Sequence, residues 1–528
     1  MAEIANFVTA LSKPMYPISF WSSYIDTLKW DKRLNVAIFA NVLISAVDLI
    51  IFIVYLVGML GVGFYFMRRN KDIDDYYVGG RSMSSLHIGL SVVATDVGGG
   101  FSIGLGGLGF AIGLAGSWML FTGLIGAWLS AIFLIPRVFK LIGKHRLYTF
   151  PEIFLHLFNK RVALVAGIVS GIGYIGFTSA QILAGAKLAS ATFPTLDLNQ
   201  AVLIMGITAV VYTVFGGLKA VIYTDTVQWL LLMGGLIFIG IPLGYQAIGG
   251  WEGITSTLDP SFLDITNIGW QQLLNWAITI IPIWFIGMTL YQRIYASRNE
   301  KTARRAWFIA GIFEWPVMAF MGVLLGLFAR VAVQQGLFDG LGYEAIADMD
   351  SEMGLPVMLR TILPAGLMGL MMSAYFSAIM STADSCLMAA SGNLVTDILS
   401  KILPIKEEKL LKYSQWATMA LGAVALILAT LMTNVLDLML MSYSFMVSGL
   451  LVPLLAALFF RKKNPTAALV AMITGGTTTL LLEICKKQEW LQMPLGLDPN
   501  IFGISLSLIV YILFSELVKD PKNGLRTH

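Results

Sequence analysis

The chain reads as long apolar blocks set between short polar breaks, without the strict alternation of strands or the one-sided stripe of a soluble helix. Each block is near or above the ~20 residues that carry a helix across a bilayer. Thirteen spanning helices are predicted, at about 47–68, 83–107, 110–136, 162–190, 200–215, 218–246, 270–292, 304–334, 356–398, 413–432, 434–460, 465–485 and 500–518. If the first runs from outside to inside, the connections on the cytoplasmic side hold 26 of the 35 Lys and Arg residues. That bias predicts an outer N-terminus and an inner C-terminus, as an odd number of spans requires.

Composition agrees with the pattern: 57% of the 528 residues are hydrophobic and 12% are charged, far from a soluble domain, which is about a quarter charged. The expected class is an all-α membrane protein whose partner is the lipid bilayer. A formal net charge of +4, with the two signs interspersed, gives no footing for nucleic acid, and no obligate protein partner is evident. The two cysteines, Cys386 and Cys485, lie in apolar segments and read as small buried side chains. Residues 1–45 are expected to form an extramembrane or interfacial extension. Lys29, Lys32 and Arg33 ahead of an apolar run also suggest a signal peptide, but no small-residue cleavage site follows and the run continues into a full span. Residues 46–520 are expected to be a single transmembrane domain, and 521–528 a short cytoplasmic tail.

Two segments carry helix-loosening residues. The second contains Ala94-Thr95-Asp96-Val97-Gly98-Gly99-Gly100, and the seventh contains Ile281-Pro282, Trp284 and Gly287. Carbonyls freed at membrane depth are tolerated where they line a cavity, and such carbonyls can coordinate a cation. As second and seventh of thirteen, these segments fit two inverted five-helix repeats, about 83–246 and 270–460, with a midplane site between them. The alternative is a pair of kinked packing helices. Gly104-Leu105-Gly106-Gly107-Leu108-Gly109 satisfies GxGxxG, but it follows no strand and lies in an apolar run, so it reads as close helix packing rather than a nucleotide site.

Acids at membrane depth cost about 2.5 to 3.5 kcal/mol each on insertion scales, which makes Asp96, Asp225, Glu314 and Asp384 functional candidates. Ser381, Asp384 and Ser385 stack at i, i+3 and i+4 beside Thr382, an oxygen-rich stripe suited to a hard monovalent cation. Hydroxyls alone would read as bonds to their own helix carbonyls; the carboxylate in the stripe favours the ion. Asp225 could instead cap an interface, with Lys219 as a nearby partner. His87 and Asp48 receive no role.

The motifs Asp74-Asp75-Tyr76-Tyr77-Val78-Gly79-Gly80-Arg81, Phe215-Gly216-Gly217-Leu218-Lys219-Ala220-Val221 with Tyr223-Thr224-Asp225, Gln292-Arg293, and Met380-Ser381-Thr382-Ala383-Asp384-Ser385 together resemble the solute:sodium symporter family over about residues 45–520. The resemblance implies an inverted-repeat, LeuT-like transporter fold and Na+ as the coupling ion. It implies a main sodium site of the Ala94 and Val97 carbonyls, the Ala378 carbonyl and the Ser381 and Thr382 hydroxyls. A second sodium site, found in some members, would take Asp225, Ser381, Asp384 and Ser385; Asp384 departs from the hydroxyl often found at its position.

Where the sugar-carrying branch has polar side chains, this chain has Phe101, Ile280 and Met441, and Glu314 stands where that branch has a lysine. An apolar lining leaves sugar hydroxyls unpaired at about 1 to 3 kcal/mol each, which disfavours a sugar. Other stretches resemble the proline and choline branches, whose solutes carry a cationic nitrogen. Asp96, Trp118, Trp284 and Glu314 would then offer carboxylates and aromatic faces. The expected activity is sodium-coupled import of a small organic solute, zwitterionic or cationic, by a multi-pass protein of the plasma (inner) membrane. Proton coupling, a sugar or monocarboxylate solute, a membrane sensor and an intramembrane enzyme are the competing readings.

Overall fold

The computed structural model describes residues 46–67, 77–96, 98–193, 196–403, 407–460 and 463–517. The expected N-terminal extension, the tail at 521–528 and Val97 lie outside them. The principal helices are α1 (Ala46–Met67), α2 (Ser85–Asp96), α3 (Gly98–Ile112), α4 (Trp118–Leu129), α5 (Lys160–Thr192), α6 (Leu198–Gly235), α7 (Trp270–Ile286) and α8 (Met288–Ala296). They continue with α9 (Glu300–Ile312), α10 (Ala319–Gln334), α11 (Leu367–Gly392), α12 (Glu407–Thr430), α13 (Val435–Phe459), α14 (Pro465–Lys487) and α15 (Pro499–Leu517). In hydrocarbon every backbone polar group needs an internal partner, and a helix supplies it from its own ladder. Among the described residues eight helices are long and apolar enough to span a membrane, or nine when the bent pair α7 and α8 counts as one.

Packing separates core from rim. In α13, 78% of the most apolar window is buried, against 22% in α15, whose Ile509, Ile512 and Leu513 face outward. Helix α5 packs against α11 and α13, and α6 packs against both α11 and α5. The two loosened segments exchange partners: α2 and α3 pack on α9 and α10, while α7 packs on α4. Each therefore leans on the second helix of the opposite half, the arrangement that interlocked repeats produce. The glycine-rich stretch of α3 does what close packing requires. A methyl group on Gly326 would stand 1.9 Å from the Gly106 carbonyl oxygen, and one on Gly109 2.0 Å from that of Val323. The α3 and α10 backbones touch, and only hydrogen fits between them.

Several boundaries differ from the sequence expectation. Pro282 lies inside α7, and the chain breaks instead at Gly287, whose ψ of 112° ends α7 and starts α8 at a bend of 41°. Proline at that point removes one ladder bond, whereas the extended glycine redirects the axis. The ninth segment is two helices, Gly354–Ile362 and α11, because Pro364 and Gly366, at a φ of +84°, interrupt it. The fifth and sixth segments are recorded as one helical run, with Gly216 and Gly217 inside α6. Asp48, given no role, caps α11: its Oδ1 accepts from the backbone N–H groups of Gly366 and Gly369, each at 2.7 Å.

Candidate functional site

The oxygen-rich stripe of α11 meets α2, α6 and α8 in the buried middle of the bundle. Ser381, Thr382, Asp384 and Ser385 are all 3% exposed or less. Thr382 Oγ1 donates across to the Ala94 carbonyl at 2.9 Å, near the end of α2, and lies 3.2 Å from the Ala378 carbonyl one turn back in its own helix. Two of the carbonyl oxygens expected to hold sodium are thus within hydrogen-bond reach of the Thr382 hydroxyl, itself a third. Val97 lies outside the described residues. Ser381 Oγ, the remaining member, donates to Asp225 Oδ1 on α6.

Asp225 is the hub of a charged network. Its Oδ2 accepts from Ser91 Oγ of α2 at 2.5 Å and stands 3.6 Å from a guanidinium nitrogen of Arg293. Arg293 is fully buried. It donates to Thr95 Oγ1 at 2.7 Å, Ser385 Oγ at 2.8 Å, Ser91 Oγ at 3.3 Å and the Thr289 carbonyl at 3.3 Å. Planar and forked, the guanidinium can join α2, α6, α8 and α11 at once, as an ammonium could not. The seventh span was expected to end at 292, just before Arg293; in the structure Arg293 is buried and faces Asp225, which takes its cation from α8. The Lys219 side chain lies outside the described residues.

Of the four residues expected at a second sodium site, Asp225 and Ser381 touch each other and Ser385 is held by Arg293. Asp384 turns to Thr213 of α6, whose Oγ1 donates to Asp384 Oδ1 at 2.5 Å. Asp384 Oδ2 is buried without a hydrogen-bond partner among the described residues.

The expected solute residues fall into separate groups. Phe101, one residue past the glycine triplet, joins Phe177 of α5 and Tyr443 of α13: its centroid lies 6.3 and 6.2 Å from theirs, and those two stack at 4.8 Å. Trp118, Trp284 and Glu314 gather instead around α4. Trp118 Nε1 donates to the Ile265 carbonyl at 2.8 Å, and its ring meets Phe121 edge-on. Trp284 is sealed under Gly126, where a methyl would stand 2.5 Å from its ring, and Glu314 lies against Gly123 in the same way at 2.2 Å. Ile280 is buried and Met441 half-buried. The side chain of Asp96 is outside the described residues.

Sequence reasoning missed Ser91, Thr95, Thr213, Phe177 and Tyr443. The hydroxyls look like ordinary membrane-helix serines and threonines until their partners are known.

The model of the sodium:solute symporter family matches residues 76–475. The osmoregulated proline transporter OpuE of Bacillus subtilis (strain 168) is 25% identical over 490 residues, covering 89% of this chain and 94% of its own. The sodium/glucose cotransporter of Vibrio parahaemolyticus is 26% identical over 525 residues, covering 91% and 92%. Among solved structures, a Na+-coupled sialic acid symporter in a substrate-bound outward-open state matches 90% of this chain and 98% of its own, with a TM-score of 0.73 and 22% identity. That likeness shows the fold. The protein is a multi-pass membrane transporter rather than an enzyme, with Na+ as its coupling ion. From the family match, the chain belongs to the sodium:solute symporter family.

Proposed function

We propose that this carrier imports a small zwitterionic or cationic organic solute across the plasma membrane on a sodium gradient, through 13 spans with the N-terminus outside. The coupling ion binds at the Ala94, Val97 and Ala378 carbonyls and the Ser381 and Thr382 hydroxyls. One observation carries this reading: Thr382 Oγ1 lies 2.9 Å from the Ala94 carbonyl and 3.2 Å from that of Ala378. A bare alkali cation needs several oxygens in one place, and this hydroxyl brings two helices within reach of it. An ion there draws α2 and α11 together, and its release inside frees them, which is what alternating access needs.

The second set, Asp225, Ser381, Asp384 and Ser385, already holds a cation from the chain itself in the Arg293 guanidinium. A second sodium enters when that side chain leaves Asp225 and Ser385, and Asp384 Oδ2 is the oxygen open to it. The solute reading is supported by the rings of Phe101, Phe177 and Tyr443, which suit an onium group better than a sugar.

The test is uptake into proteoliposomes under an imposed sodium gradient, an imposed pH gradient or neither, with solutes chosen by a thermal-shift screen of amino acids, betaines, carboxylates and sugars with and without sodium. Sodium alone should drive accumulation of an amino acid or betaine. Uptake driven equally by a pH gradient in sodium-free medium, or a sugar as the stabilising solute, would overturn the reading.

A further inference from the structure

The connection between α4 and α5 is fastened at residues 147–150. The Leu147 carbonyl accepts from an Arg81 guanidinium nitrogen at 2.6 Å, the Thr149 carbonyl accepts from Tyr295 Oη at 3.1 Å, and the Phe150 N–H points at the Met288 sulfur at 3.0 Å. Met288 and Tyr295 belong to α8, the helix whose Arg293 donates to Ser385 and faces Asp225. The turn therefore holds α8. Two carboxylates in turn grip Thr149: Glu152 Oε2 accepts from the backbone N–H groups of Tyr148 and Thr149, at 2.6 and 3.2 Å, and Asp397 Oδ1 accepts from Thr149 Oγ1 at 2.8 Å. Asp397 stands in the turn Asn393–Leu399 that continues α11, and it is 1% exposed. Helix α5 covers it so closely that a methyl on Gly167 would stand 2.9 Å from its Cβ. Asp397 Oδ2 has no hydrogen-bond partner among the described residues. The charged and titratable groups that face the pair are Lys401, Arg81, Tyr77 and Tyr295, and the stacked His145 and His156 lie beyond Lys401.

We propose that Glu152 and Asp397 share a bound proton while the 147–150 turn is shut, and that losing this proton to the cytoplasm frees the turn and with it α8. The pair is then a proton site that latches the inner side of the carrier. It rests on the orientation and the sodium-coupled transport proposed above, and it adds a control on the step that releases the ion inside. Two anions on either side of one threonine repel, and burial leaves little water to screen them. With one proton between them the pair carries a single charge, which the two N–H groups, the Thr149 hydroxyl, Lys401 and Arg81 answer. A second charge would fall on an oxygen without a donor. Burial holds the Glu152 carboxyl above its ordinary pKa, against the pull of those N–H groups, Lys401 and Arg81. A carboxyl kept neutral more easily with the latch shut than open favours the shut state at low pH and loses it as pH rises above the ordinary carboxylate range. One proton released on opening shifts the shut-to-open ratio by up to about tenfold per pH unit. An acid cytoplasm therefore keeps α8, and Arg293 on it, in place.

The amides that the latch holds report on it directly. Hydrogen–deuterium exchange at Tyr148, Thr149 and Phe150 is followed in the purified full chain in detergent, at fixed sodium, from about pH 6 to about pH 9. Each rate is divided by that of an unstructured peptide of the same sequence at the same pH. Protection should fall by about tenfold or more over that range, while protection along the middle of α5 stays constant. Glu152→Gln and Asp397→Asn each keep the shape and leave a single titratable carboxyl, so each should flatten the dependence to within about threefold. His156→Phe should keep the wild-type fall, which separates the carboxyl pair from the histidine stack. Wild-type protection that is constant or rises with pH, an amide variant that keeps the full fall, or a His156→Phe protein that loses it overturns the proposal. If an amide variant does not fold, the wild-type and His156→Phe profiles decide. Thermal stabilisation by sodium is measured in parallel at both ends of the range. Its survival beside a flat exchange profile removes the latch and leaves the symporter reading intact, and its loss at both ends removes the proposed sodium site whatever the latch does.

Discussion

Lys187 of α5 is 1% exposed and is anchored in a network that ties four elements. Its Nζ donates to Asp350 Oδ2 at 2.5 Å and to Glu352 Oε2 at 2.6 Å. The Glu352 side chain is 2% exposed, and the carboxylate also accepts from the backbone N–H groups of Val435 and Leu436, both at 2.9 Å, where α13 begins. Gly107 of α3 packs on its aliphatic stem. Lys187→Met keeps the volume and strands Glu352 as a buried anion. The two α13 donors are present before and after the change, so they offset nothing new. Breaking a buried ion pair from one side costs about 3 to 5 kcal/mol. The Asp350 side chain is 43% exposed, so Asp350→Asn should cost under about 1 kcal/mol. The assay is chemical denaturation in detergent followed by tryptophan fluorescence, on Lys187→Met, Glu352→Gln and the double variant. The double should cost less than the sum of the singles by about 2 kcal/mol. A Lys187→Met protein within about 1 kcal/mol of wild type, or strict additivity, would refute the reasoning.

The other expectations are as direct. Arg293→Gln leaves Asp225 buried without its cation and should lower stability by about 3 kcal/mol or more, while Arg293→Gln with Asp225→Asn recovers much of the loss; a double variant as unstable as the single contradicts this. Gly326→Ala drives a methyl into the Gly106 carbonyl and should cost about 3 kcal/mol, read as lost monodisperse protein in size-exclusion chromatography; a wild-type profile contradicts it. His145 and His156 stack at 3.8 Å, and burial, then His145 and Lys401, hold the His156 imidazole below its ordinary pKa. The unfolded chain therefore takes up the proton more readily, so stability should fall as pH drops from about 8 through the ordinary histidine range to about 5.5. His156→Phe should flatten that slope in a thermal melt, and an unchanged slope counts against the stack as its source.

What the sequence made legible follows from how local each feature is. The stripe Ser381, Thr382, Asp384 and Ser385 is set by the spacing of one helix, and it faces the bundle interior as that spacing implies. Its meeting with Ala94 could be anticipated because both segments carry their own chemical mark. Arg293 could not be read correctly: a charge near the end of an apolar run looks like a membrane flank, and its burial depends on Ser91, Asp225 and Ser385, none nearer than 68 residues in sequence. The surroundings of Trp284 and Glu314 depend on distant residues in the same way. A large or acidic side chain at membrane depth invites a ligand, but here Gly126 and Gly123 on α4 make the room each occupies. Asp48 looked idle because the helix it caps begins more than 300 residues later. Pro282 and Gly287 show that helix-breaking residues are not equal: the proline is absorbed within α7, and the chain turns at the glycine.

On the proposed mechanism, hydroxyls of α11 and carbonyls of α2 hold the sodium ion that drives transport. This is tested most directly by sodium-stimulated solute uptake in proteoliposomes bearing the double variant Ser381→Ala with Thr382→Ala, compared with wild type at equal reconstituted protein. Sodium stimulation should disappear while the protein remains folded; stimulation equal to wild type would mean that the ion is held elsewhere.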